Sequence, residues 1–98
     1  MANFQQLIAS KIPVLVDFSA EWCWPCKMMP TILQQLKNSL GNKVTIIKID
    51  IDKNRAMANA YNIQSVPTLM IFHEGEQKWR QSGMMQAGQL EEVITQYL

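Results

Sequence analysis

Apolar and polar positions along this chain switch between a helical and a strand period, and the switches divide it into elements. Phe4, Leu7 and Ile8 recur at helical spacing behind Asn3, a side chain suited to capping, so a short helix opens the chain. Pro13 marks the change to Val14-Leu15-Val16-Asp17-Phe18-Ser19, an apolar run that reads as a buried strand. Met29, Ile32, Leu33, Leu36 and Leu40 then form one long helical stripe, which Gly41-Asn42 ends. Val44 to Asp50 is rich in β-branched residues and predicts a second strand. A helical crossover joins it to the first, so the two are parallel. Asp52 to Tyr61 is expected as a short helix. Thr68 to Phe72 and Gln77 to Ser82 flank Glu74-Gly75 as an antiparallel hairpin, and Leu90, Val93, Ile94 and Tyr97 give a closing amphipathic helix. This alternation, without repeats or low-complexity segments, is the pattern of an α/β fold.

Length and charge narrow the classes of function. The 98 residues fit one domain, 1–98, able to bury roughly two-thirds of its unfolded surface. Net charge is +1 with dispersed basic residues, which points away from nucleic acid and from an anionic membrane surface. No apolar run approaches the roughly 18 residues of a membrane span, and Met1 to Gln6 lacks the charged start and apolar run of a signal peptide. The expected compartment is the cytoplasm, where a reactive cysteine pair is more often catalytic than structural. A mature exported form would look the same.

The chemistry concentrates in Trp22-Cys23-Trp24-Pro25-Cys26-Lys27, which holds both cysteines. A pair at this spacing, following a buried strand, suits dithiol/disulfide exchange. A helix starting near Cys23 places that sulfur beside unsatisfied backbone N–H groups and the positive end of the helix dipole, and Lys27 adds a cation. Pro25 fits the first turn, where its missing N–H costs nothing. Cys26 falls within the helix, less exposed than Cys23. Cys23 is therefore expected to attack and Cys26 to resolve the mixed disulfide. Zinc is the competing reading, but beyond this pair the chain has only His73 as a Cys or His ligand, and a closed site usually needs four. An inert structural bridge is the other alternative. So short a loop would restrain an unfolded chain little, and a strained short bridge is more plausibly labile.

These residues resemble the thioredoxin family over nearly the whole chain. Asp17-Phe18-Ser19-Ala20-Glu21-Trp22-Cys23-Trp24-Pro25-Cys26-Lys27-Met28 is similar to its active-site segment, Lys48-Ile49-Asp50-Ile51-Asp52 to the exit of its second strand, and Val66-Pro67-Thr68 to its cis-proline loop. Gly75 and Gly83 stand where the family places its hairpin and substrate-loop glycines. The resemblance implies a protein-disulfide reductase with no bound cofactor, acting on oxidised protein substrates and re-reduced by NADPH through a thioredoxin reductase. It also implies Asp17 as general base toward Cys26, through water, with Lys48 as its electrostatic partner. The chain itself supports an unusual Asp17, because a carboxylate among Val16 and Phe18 is desolvated and its pKa raised. An exposed strand-end aspartate is the alternative.

The resemblance places the Val66-Pro67 bond in cis geometry, with Val66 offering backbone hydrogen bonds to an extended substrate and Gly83 beside it. Trp22 and Trp24 flank a sulfur that macromolecular disulfides must reach, and both are expected as substrate contacts rather than core. His73 is expected as a solvated turn residue. Met84-Met85 suits either core or an apolar rim.

Three features depart from the family pattern. Trp24 replaces the usual glycine, so together with Pro25 it bears on redox tuning. Too few residues precede Pro13 for the usual first strand, which predicts a four-stranded mixed sheet with helices on both faces and an exposed second strand. Lys48 and strand twist are expected to keep that edge monomeric. Pro30 stands one residue before the family's usual proline, at Thr31, and is expected to kink its helix and free the carbonyl of Cys26. Two function classes remain: a thiol-disulfide oxidoreductase, as reductase or as oxidase or isomerase, and a redox-inert binding or chaperone-like module using the same apolar surface.

Overall fold

The computed structural model describes residues 3–98; Met1 and Ala2, which begin the stretch read as lacking a signal peptide, lie outside the described residues. Its elements are α1 Phe4–Ile8, β1 Val14–Ser19, α2 Met29–Leu40, β2 Thr45–Asp50, α3 Arg55–Ala60, β3 Thr68–His73, β4 Glu76–Ser82 and α4 Ala87–Thr95. A 3-10 turn over Pro25–Met28 leads into α2. The strands form one mixed sheet in the order β2-β1-β3-β4, with β1 parallel to β2 and antiparallel to β3.

Strand periodicity sorts the core into two layers. Leu15, Leu69 and Ile71 point toward α2 and α4, where they meet Met29, Leu36, Leu90 and Ile94. Val14, Val16, Phe18, Met70 and Phe72 point the other way, toward α1 and α3. There Phe4, Tyr61 and Phe72 pack edge to face with centroids 5.6 to 5.7 Å apart, a geometry that adds to simple burial. Every residue of β1 is buried, so Asp17 is taken out of water along with its apolar neighbours. It follows Leu15 by two and therefore faces the α2 layer.

Local chemistry accounts for most boundaries. Asn3 accepts from the Gln6 N–H and Gln6 answers to the Asn3 N–H, each at 2.9 Å, closing a capping box on α1. Gly41, at φ 55°, ends α2. Glu74 and Gly75, at φ 54° and 86°, make the two-residue turn whose twist suits a hairpin.

Two expectations change. The helix read from Asp52 to Tyr61 is only Arg55–Ala60. Asp50 Oδ1 accepts from the N–H groups of Asp52 and Lys53 at 2.8 and 3.1 Å, folding those residues into a turn before the helix can start. Pro30 leaves no orphan carbonyl either. The Met29 N–H takes the Cys26 carbonyl in an i to i+3 bond, so the chain tightens into 3-10 geometry and α2 begins with proline in its first turn.

Candidate functional site

The cysteines lie where β1 gives way to the 3-10 turn. After Ser19 the chain folds back, with the Cys23 N–H on the Ala20 carbonyl at 3.2 Å, and Pro25 takes the first position of the turn. Cys23 and Cys26 are joined as a disulfide with Cα atoms 5.3 Å apart. The Cys26 N–H points at Cys23 Sγ from 3.1 Å. That donor is one of those a helix start leaves without an intrahelical partner, and it favours negative charge on this sulfur. Cys23 Sγ also lies 3.6 Å from the Val66 carbonyl.

The expected contrast in burial is nearly absent: Cys23 is 5% exposed and Cys26 3%. Both pack with Ala20, Ile51 and Val66 in a small apolar cluster, because the loop from Ser65 to Pro67 folds against them. What separates the two sulfurs is the backbone N–H aimed at Cys23.

Around this pair the aromatic residues stand outward. Trp22 and Trp24 are 69% and 72% exposed. Trp22 is nevertheless fixed, since its Nε1–H donates to Asp52 Oδ2 at 2.8 Å. Trp24 is less constrained, with the Lys27 ammonium 5.9 Å from its ring centroid, within cation–π range. Part of the Lys27 charge is therefore directed to the indole face rather than to sulfur alone. Met84 is 43% exposed and Met85 8%, so the pair divides between rim and core.

The Val66–Pro67 bond is cis. The Gly83 N–H donates to the Pro67 carbonyl at 2.8 Å, and Gly83 sits at φ 97°, a conformation that favours glycine. Thr68 Oγ1 donates to the Ser65 carbonyl at 2.6 Å, tying the loop's other side. Val66, Pro67 and Gly83 are thus brought together beside Cys23.

Asp17 lies on β1 opposite Lys48 of β2 in the parallel register. Neither carboxylate oxygen has a hydrogen-bond partner among the described residues. Burial pushes the Asp17 pKa up to about 6, and the Lys48 charge opposes that rise. A cleft of about 280 Å³, lined by Cys26, Lys27, Lys48 and Asp50, opens on the same face of the sheet. Water reaching Cys26 from this side has room to stand.

His73 differs from expectation. It ends β3, half-buried, with Nε2 2.9 Å from the Lys11 carbonyl and 3.7 Å from Glu74 Oε1. Among the described residues no three His, Cys, Asp or Glu side chains gather as metal ligands. Sequence spacing alone does not mark Asp52 as a partner of Trp22, 30 residues away. The available signal was general: an indole N–H near a functional loop needs an acceptor, and Asp50 and Asp52 follow a strand parallel to the one before it.

The family model described as Thioredoxin matches residues 1–96. A thioredoxin-like protein of Synechocystis sp. is 49% identical over 90 residues, covering 91% of this chain and 86% of that protein. A thioredoxin of Rickettsia bellii is 42% identical over 90 residues, covering 92% and 86%. Among solved structures, chloroplastic thioredoxin z superposes with a TM-score of 0.86 at 30% identity, covering 99% of this chain and 90% of that one. A mutant thioredoxin from Halobacterium salinarum gives 0.84 at 34% identity, covering 99% and 87%.

Proposed function

This chain belongs to the thioredoxin family and is a protein-disulfide reductase, and from that premise we propose how its residues divide the reaction. In the dithiol form Cys23 is the thiolate. It attacks one sulfur of a substrate disulfide, the substrate S–S bond breaks, and the other substrate sulfur leaves as a thiolate. Asp17 then takes the Cys26 proton through water in the adjoining cleft. The Cys26 thiolate attacks Cys23 Sγ, releases the second substrate thiolate and leaves the Cys23–Cys26 disulfide. Two electrons have passed from the protein to its substrate. The observation that carries this assignment is the 3.1 Å approach of the Cys26 N–H to Cys23 Sγ, a stabilising contact that Cys26 Sγ is not given.

In the same reading Val66 and Pro67 hold an extended substrate backbone beside Cys23, Gly83 supports that loop, and Trp22 supplies a fixed apolar platform. Lys48 moderates the Asp17 charge. Pro25 and Trp24 border the nucleophile; Pro25 influences its potential, and Trp24 adds only a small shift to it. The chain works as one monomeric unit, 1–98, in the cytoplasm, re-reduced by NADPH through a thioredoxin reductase. No helix of the described residues is long and apolar enough to cross a membrane. The direct test is reduction of insulin in the presence of dithiothreitol. Acceleration over dithiothreitol alone is expected, and its absence would leave the redox-inert module.

Trp24 tests the contact surface separately. With its ring largely in solvent, it adds contact area for proteins and little for small disulfides. Trp24→Gly is expected to lower kcat/KM for insulin several-fold more than for glutathione disulfide. The glutathione equilibrium should move by less than about tenfold, or roughly 30 mV. A larger movement with both substrates affected alike would make Trp24 a tuner of sulfur chemistry instead.

A further inference from the structure

The outer edge of β2 carries backbone groups with nothing to bind. The Thr45 N–H donates to the Pro13 carbonyl at 3.0 Å and the Ile51 N–H to the Ser19 carbonyl at 2.9 Å. Alternation along the strand therefore turns Thr45, Ile47, Ile49 and Ile51 toward β1. The N–H and C=O groups of Ile46 and Lys48, and the N–H of Asp50, point outward and meet no partner among the described residues. The Asp50 carbonyl differs, since Asn54 Nδ2 donates to it at 3.0 Å.

The side chains of the same residues form a row on the α2 face of the sheet. Ile46 packs against the core under α2, and Lys48 and Asp50 line the cleft beside Cys26. Two hollows follow one another along that row. The first, about 330 Å³, lies between Thr45 and Ile46 and the Pro30, Leu33, Gln34 and Lys37 side chains of α2, with the Lys37 ammonium turned to the Val44 carbonyl at 2.6 Å. The second is the 280 Å³ cleft at Cys26. A strand added to this edge would hydrogen-bond outside β2 and lay alternate side chains over both hollows, with its continuation at the active-site end.

We propose that the β2 edge is a strand-addition site for an extended segment of a protein substrate, docked while the substrate's disulfide engages Cys23. The proposal rests on the reading that Cys23 attacks protein disulfides. The fitting segment places an apolar side chain over the hollow at Ile46 and, two residues along, a carboxylate facing Lys48. A second copy of this chain fits less well. The antiparallel register that uses every outward group sets Lys48 against its own copy, and like charges directly opposite are unfavourable. Docking here tethers the substrate, so the disulfide meets Cys23 as an intramolecular event. Small disulfides gain nothing from it.

Amide hydrogen exchange on trapped adducts tests the site without altering β2. The Cys26→Ser variant is trapped as a mixed disulfide with insulin and, separately, with glutathione. The Ile46 and Lys48 amides are expected to exchange about tenfold or more slowly in the insulin adduct than in the glutathione adduct. Ile46→Pro provides a second arm, because its N–H points away from β1 and proline is tolerated at such an edge. It should raise KM for insulin about three- to tenfold, the scale of a lost backbone hydrogen bond, and leave glutathione disulfide turnover unchanged. Equal exchange in the two adducts would overturn the proposal even if Ile46→Pro fails to fold. Protection already present in the free protein and rising with its concentration would overturn it in favour of a second copy. Failure to form any adduct at Cys23 would instead overturn the nucleophile reading on which it rests.

Discussion

Cys23→Ser is expected to abolish reduction of protein disulfides, by on the order of a thousandfold or more, because the Cys26 thiol that remains has no backbone N–H aimed at it to stabilise a thiolate. Cys26→Ser is expected to fail differently. Its Cys23 still attacks, and nothing then displaces the bound substrate, so the mixed disulfide accumulates. Mass spectrometry after exposure to oxidised insulin distinguishes the two: an adduct on Cys26→Ser and none on Cys23→Ser. The opposite pattern would reverse the order of the sulfurs. The contact that motivates the order also makes a titration expectation. With the Cys26 N–H directed at Cys23 Sγ from 3.1 Å, the reduced protein should show one thiol, by ultraviolet thiolate absorbance, below the ordinary value of about 8.5. Two ordinary thiols would remove the physical basis of the assignment.

How much of this was legible in the sequence depends on the range of the interaction involved. The β1 run and the α2 stripe were legible because burial imposes their periods directly, and the Glu74-Gly75 turn because its residues tolerate positive φ. Boundaries set by a single side-chain bond were not. Asp50 could cap a helix or fold its own turn, and only the observed bonds to the Asp52 and Lys53 N–H groups decide between them. The expectation that Pro30 frees the Cys26 carbonyl failed for a related reason. Proline forbids one donor to the Cys26 carbonyl, but the chain answered by tightening so that Met29 supplied another. At the site, the cysteine pair is local and legible from its spacing. The desolvation of Asp17 is legible in its apolar neighbours, while the Trp22–Asp52 bond joins distant loops and leaves no periodic trace.

Asp17→Asn is expected to raise thermal stability above neutral pH while slowing resolution of the mixed disulfide. Burial raises the Asp17 pKa from 3.8 to about 6. The folded state therefore holds this proton more tightly than the unfolded chain, and the associated stability is complete below pH 4 and lost as pH rises through about 6. A rise of that size corresponds to about 3 kcal/mol. Asparagine carries no charge at any of these pH values, but its buried amide inherits the lack of hydrogen-bond partners seen at both Asp17 oxygens. A net gain of about 2 kcal/mol at pH 7.5 is the expectation, or an increase of roughly 10 °C in melting temperature for a chain this short. At pH 4 the two proteins should melt nearly together, since Asp17 is then largely neutral as well. Turnover should respond in the opposite sense. Removing the proton acceptor slows decay of the mixed disulfide about ten- to a hundredfold, and that step in the unsubstituted protein should fall as pH drops through about 6. Melting curves that differ by the same amount at both pH values would show that no buried charge is being relieved. Unchanged decay of the mixed disulfide, with or without the gain in stability, would remove Asp17 from the proton path to Cys26.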